Sequence, residues 1–234
     1  KLWNASRFVL INMEGYEPAP VGDDELAFED RWLLSRLATV SGQVTEAFEG
    51  YRFAEACRTL YDFAWDEFCS FYVEMAKARF QDDQAAPVVR RVLAHALDQL
   101  LRLLHPVIPF ITEGVWELLA QAAPVRGLSE PTEPSGSIMT ADWPQPESAH
   151  RNPLIEEQFA LFQQVLGALR EIRSRQGISP REPIEFSVRC ADEVVALLKP
   201  METYFVSMAG ASSIGWGPDV AAPENNAIVR VQGA

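Results

Sequence analysis

The residues of this chain best suited to chemistry lie at two places, and the chemistry they offer is recognition rather than bond-making. The first is the amino-terminal run Lys1-Leu2-Trp3-Asn4-Ala5-Ser6-Arg7-Phe8. Lys1, Asn4 and Phe8 are spaced by three and four, so a helix brings them to one face. Lys1 and Arg7 carry charge for phosphates, Asn4 can read a base edge, and Phe8 can stack on an unpaired base. The same spacing also suits an ordinary amphipathic helix, and Arg7 could serve an internal salt bridge instead. The second place is the end of segment 53–77, where Tyr72, Glu74 and Lys77 sit as that segment should leave the protein core.

Bond-making signatures are missing. The chain has no phosphate-binding G-x-x-x-x-G-K-[ST], no G-x-G-x-x-G, no G-x-S-x-G and no H-E-x-x-H. Asp66-Glu67 and Glu156-Glu157 are adjacent in sequence, so on a helix they diverge and form no acid/base dyad. Three cysteines and three scattered histidines give neither a disulfide framework nor zinc spacing, so no metal is implied and a reducing, cytosolic setting fits. A net charge of -13 argues against non-specific coating of nucleic acid but leaves room for a local basic site. No apolar run reaches the roughly 18 residues of a membrane span. A binding module outranks an enzyme.

The elements that must position these residues centre on 53–77, which packs Tyr61, Phe63, Trp65, Phe68, Phe71 and Tyr72 into one stretch without Pro or Gly. At the helical period these rings point around much of the circumference, which predicts a helix covered on several faces and hence a bundle. Phe53, Ala56, Leu60, Ala64, Phe68, Phe71 and Met75 form one expected seam, while Tyr61, Trp65 and Tyr72 turn toward another. Cys57 and Cys69 read as small core residues. Further helices are expected at 1–14, at 26–48 behind an Asp23 or Asp24 cap, at 88–104, at 109–119 and at 154–175. Gly50 should break the second helix so tightly that its successor runs antiparallel. The helix from Pro109 carries Phe110, Val115, Trp116 and Leu119. The Pro- and Ser-rich stretch 123–153 reads as a surface loop pinned by Ile138, Met139 and Trp143. Arg170, Arg173 and Arg175 suit the carboxyl end of a helix dipole.

After Gly177-Ile178-Ser179-Pro180 the pattern changes. Ile184, Phe186 and Val188 alternate as a strand, 191–205 is helical with a break at Pro200, and 212–216 and 227–231 could be short strands. The reading is mainly α: a helical bundle over 1–153, a further helix over 154–178 packing on it, and a small truncated α+β appendage over 179–234. A start without Met, inside a helix, suggests a piece of a longer protein.

Several motifs in series carry a resemblance. Lys1 to Phe8 is similar to the segment that follows the catalytic domain of valyl-tRNA synthetases. Asp30-Arg31-Trp32 with Ser35-Arg36-Leu37 follows in the expected order. Tyr61-Asp62-Phe63 to Glu67-Phe68-Cys69 and Tyr72 come next, then Leu104-His105-Pro106 to Pro109-Phe110-Ile111-Thr112-Glu113. Ser137-Ile138-Met139 and Trp143-Pro144 complete the series, and the helix at Arg170 to Arg173 extends it. The resemblance implies the class I anticodon-binding helical bundle, which grips the anticodon stem-loop of tRNA. The family's catalytic motifs are missing here, so it implies no catalytic residue and no cofactor in this piece, with ATP and Mg belonging to the parent enzyme. It further implies a cytoplasmic monomer whose partners are the valine tRNA and the catalytic domain of the same polypeptide. Carried over by position, Lys1, Asn4, Arg7 and Phe8, with Tyr72, Val73, Glu74 and Lys77, match the tRNA-facing segments, Val73 as an apolar floor beneath a base stacked on Phe8. Ser70-Phe71 and Val73 depart from the commoner Asp-Trp and Leu. The alternatives are the isoleucyl relative, which shares the bundle, and a helical protein-interaction scaffold. Convergence of Lys1, Arg7 and Lys77 on one patch favours RNA; dispersal favours the scaffold.

Overall fold

A computed structural model describes residues 1–179, 182–221 and 227–231. Two compact units are present, Lys1–Pro153 and Leu154–Ala234.

The first unit is a helical bundle of α1 (Leu2–Ile11), α2 (Phe28–Glu49), α3 (Phe53–Asp62), a π-helical segment (Phe63–Tyr72), α4 (Val73–Arg79), α5 (Ala85–Leu104) and α6 (Pro109–Ala122). Its centre is α5 rather than the aromatic stretch. Val88, Val89, Val92, Leu93, Leu97, Leu100, Leu101 and Leu104 point different ways yet are all buried, because α1, α2, α4 and α6 all pack on this helix. By contrast α3 buries only Ala56 and Leu60, and its Phe53 and Tyr61 are more than half exposed. Cys57 is exposed and Cys69 half-buried, so neither is a core residue.

From α3 to α4 the backbone stays right-handed through both junctions, making one rod with a widened middle. An α-helix rotates about 40° for every fourth residue, which would carry such a row off the buried face. The i→i+5 bonding of the π segment widens its turns and cancels that drift. Consequently Ala56, Leu60, Ala64, Phe68, Tyr72 and Ala76 form one straight buried row. That row, and not the alternate seam expected from a uniform helix, is why Tyr72 faces inward.

Local chemistry explains the ends. The cap of α2 is not Asp23 or Asp24: Ala27 precedes the helix, and the Asp30 carboxylate accepts from the Ala27 N–H at 3.0 Å. The reversal into α3 falls on Tyr51, at φ 56°, while Gly50 keeps φ -83°. The loop after α6 is pinned at many points. Arg126 Nε donates to Asp98 at 2.5 Å, Trp116 Nε1 to the Ser135 carbonyl at 3.0 Å, and Trp143 Nε1 to Thr45 at 2.7 Å. Ile138 is buried, but Met139 is 77% exposed and pins nothing. Phe110 is likewise 94% exposed, because it sits in the first turn of α6 facing away from the core.

The second unit runs α7 (Pro153–Arg175), β1 (Ile184–Val188), α8 (Asp192–Leu198), a 3-10 turn (Lys199–Met201), α9 (Glu202–Ala209) and β2 (Ala211–Trp216). The break expected at Pro200 is that turn. The strands pair in parallel, Phe186 against Ile214 and Val188 against Trp216, so the intervening helices form the crossover that parallel strands need. Gly210 makes the left-handed turn from α9 into β2 at φ 66°. Phe159, Phe162, Phe205 and Trp216 build the core, with Phe162 and Phe205 at 4.8 Å between ring centroids. Residues 227–231 form no strand, and Pro180 of the expected turn lies outside the described residues.

Candidate nucleic-acid interface

Six of the eight expected site residues reach the surface, and two do not. Tyr72 is fully buried and Val73 is 4% exposed, both held in by the straightened row of the π segment and the turn that follows it. Both face inward, so the structure does not bring the expected apolar floor at Val73 to the surface beside Phe8. The Tyr72 hydroxyl donates to Asp30 Oδ1 at 2.6 Å, and Arg79 Nη1 donates to the same oxygen at 2.6 Å. Burial first, then the neighbouring Asp30 charge, pushes the Tyr72 phenol well above its usual range, so it remains a neutral donor. Its work is to lock α4 to the first turn of α2. Arg36 adds a forked pair to Glu67 at 2.7 and 2.8 Å, tying the π segment to α2 as well.

The remaining residues line the seam between α1 and the π–α4 rod. At one end Lys1 Nζ lies 3.1 Å from Ser70 Oγ and 4.4 Å above the Trp65 ring. At the other end Phe8 meets Phe80 edge-on at 5.9 Å, and Lys77 Nζ stands 5.7 Å from the centre of the Phe8 ring. Phe8 is half-buried, while Asn4 and Arg7 are exposed on the turns between the two ends. Among the described residues the Asn4 and Arg7 side chains make no hydrogen bond or ion pair, which removes the internal salt bridge considered for Arg7. Glu74 pairs with Lys77 at 2.6 Å on the exposed face of α4. Lys1 and Lys77 therefore stand at the two ends of one strip, and Arg7 is exposed on the α1 helix that forms one side of it.

Sequence reading missed Ser70, Trp65 and Phe80. Phe80 was within reach, since it lies three residues beyond Lys77 and hence on the same face of α4. Ser70 and Trp65 were not, because their approach to Lys1 depends on how two helices dock.

The strip holds donors, a positively charged rim and an aromatic edge, the inventory for gripping phosphates and stacking bases. Burial pushes the nearby Cys69 thiol up to about 11, which keeps it protonated at neutral pH. No group of three or more His, Cys, Asp or Glu among the described residues could hold a metal ion. Nor is any described helix long and apolar enough to cross a membrane.

A helical bundle agrees with what comparison shows. Residues 30–188 match the family described as the anticodon-binding domain of tRNA ligase, and the chain belongs to that family. Beyond the family, the chain is similar to valine--tRNA ligases. It is 52% identical over 227 residues to that of Rhodopirellula baltica, covering 97% of this chain and 22% of the relative. It is 38% identical over 233 residues to that of Geobacter sulfurreducens, covering 97% and 25%. Against that of Mycobacterium tuberculosis it is 40% identical over 185 residues, covering 79% and 19%. The chain thus spans about a fifth to a quarter of the length of the curated relatives it matches.

Proposed function

We propose that the α1–α4 strip grips the anticodon stem-loop of the valine tRNA, and that the whole protein is an ATP-dependent valine–tRNA ligase. In this reading Phe8 stacks on an unstacked anticodon base, Asn4 and Glu74 hydrogen-bond base edges, and Lys1, Arg7 and Lys77 meet phosphates. Tyr72 and Val73 act behind the surface by fixing α4. ATP and Mg belong to the catalytic domain of the same polypeptide, a cytoplasmic monomer, and residues 1–234 alone do not aminoacylate.

The observation that carries the reading is that Asn4 and Arg7 stand exposed, with no protein partner among the described residues, beside a half-buried Phe8 that Phe80 holds edge-on. Family membership and the names of the relatives support it. The test is binding of this chain to valine and isoleucine anticodon stem-loops across a salt series. Preference for the valine loop that weakens with salt is the expected result. Equal and feeble binding to both would move discrimination to other parts of the protein.

A further inference from the structure

The two lysines of the strip are held in opposite ways. Lys77 is neutralised by Glu74 at 2.6 Å. Among the described residues Lys1 Nζ has only neutral partners, the Ser70 hydroxyl at 3.1 Å and the face of Trp65 at 4.4 Å. Ser70 donates its own proton to the Trp65 carbonyl at 2.8 Å, which leaves an oxygen lone pair aimed at the Lys1 ammonium. That carbonyl lies five residues back along the π segment, so the widened helix itself orients the hydroxyl. An ammonium has three donors, and Ser70 takes one of them. The rest, and the whole charge, stay available.

We infer that Ser70 and Trp65 are positioning residues that present the Lys1 ammonium, immobilised but not neutralised, to a backbone phosphate of the bound RNA. This rests on the stem-loop reading above and assigns the dominant phosphate contact within it to Lys1 rather than Lys77. The arrangement separates holding a cation from cancelling it. A carboxylate at position 70 would hold Lys1 as firmly and take its charge away. Trp65 adds attraction through its ring face, which also leaves the net charge intact.

The test is Ser70→Asp, with Lys1→Gln, Lys77→Gln and Ser70→Ala beside it, in the 234-residue chain with its α-amino group acetylated. Position 70 is half-exposed, so the new carboxylate meets solvent, and thermal melting checks that each variant folds. Ser70→Asp and Lys1→Gln should each weaken stem-loop binding about three- to fivefold near 0.1 M salt. Each should also flatten the slope of log affinity against log salt by about 0.7 to 0.9, the share of one phosphate. Combining the two should add nothing further. Lys77→Gln should flatten the slope by less than Lys1→Gln does, because Glu74 already pairs with Lys77, and Ser70→Ala should lower affinity while keeping the slope. Unaltered slopes for Ser70→Asp and Lys1→Gln, with wild-type binding intact, would overturn this inference alone. No salt-dependent binding by the wild type would overturn the stem-loop reading and the inference together.

Discussion

Arg7 and Arg173 are the same side chain on two helices, and the structure uses them in contrary ways. Arg173 is buried near the end of α7, donating to the carbonyls of Ala209 at 2.9 Å, Glu182 at 2.6 Å and Ser179. It stitches α7 to the segments on either side of β1. Arg7 stands exposed on α1 with no partner among the described residues. A guanidinium has five donors in a rigid fork, so a count of those in use separates a structural arginine from one held ready for a ligand. Position along a helix does not. The dipole argument grouped Arg173 with Arg170 and Arg175 as cations suited to a helix end, whereas the carbonyls around it make it a core residue.

The contrast is broken most easily from the buried side. Arg173→Ala should cost about 3 kcal/mol of stability, because three carbonyls lose their donor. Urea unfolding followed by Trp216 fluorescence reads that loss, and stem-loop affinity should stay within about twofold. Phe8→Ala comes next: it should weaken stem-loop binding by about 1–3 kcal/mol while the melting temperature barely moves. Equal losses of binding and stability would make Phe8 a packing residue of the Phe80 contact. Arg7→Ala should cost about 1 kcal/mol of binding, flatten the salt dependence, and leave stability within roughly 0.5 kcal/mol. Together the arginine variants should exchange their phenotypes, one losing fold and the other ligand.

The smallest effect is electrostatic and lies in the loop of the first unit. Glu147 stands between His95 at 3.5 Å and His150 at 3.1 Å. The hydrogen bond that His150 Nε2 donates to the Glu147 carboxylate raises the pKa of His150 above 6.5, and the same bond lowers that of Glu147 below 4.5. The share from His150 is complete below about pH 6.5 and is lost as pH rises through its raised folded value. The share from Glu147 is complete above about pH 4.5 and is lost as pH falls through its lowered one. His95, lowered by burial, works the other way, stabilising as pH rises. His150→Gln should therefore destabilise by a few tenths of a kcal/mol at pH 5.5 and by almost nothing at pH 8.5, after allowance for solvent screening. Paired melting curves at the two pH values check it.

Much of the fold was legible because the apolar period is strong where helices bury one stripe. The helices at 85–104 and 109–122, the break at Pro200 and the strands at Ile184 and Ser212 all followed from that signal. Of the strip, Lys1, Asn4, Arg7, Phe8, Glu74 and Lys77 were legible as surface. Tyr72 and Val73 were not, because no Pro or Gly marks the change from i→i+4 to i→i+5 bonding within 63–72. Once the turns widen, every residue beyond points elsewhere than a uniform helix predicts. Phe110 shows another limit: hydrophobicity states a preference for burial, but Phe110 points away from the core, while Thr112 in the same turn is fully buried. Tyr51 took the left-handed position beside a glycine that was free to do so, which residue type alone would have assigned the other way.

The Asp30 carboxylate has a kinetic consequence. Three donors converge on it from the start of α2, the end of the π segment and the last turn of α4. None can let go without stranding a buried charge, so these pieces must open together. The end of α4, which as a short terminal helix would otherwise fray, should then exchange its amide protons as slowly as the interior of α2. Lys77 and Phe80 sit on that clamped turn. An approaching strand of RNA would meet a surface already set, with little ordering left to do on contact.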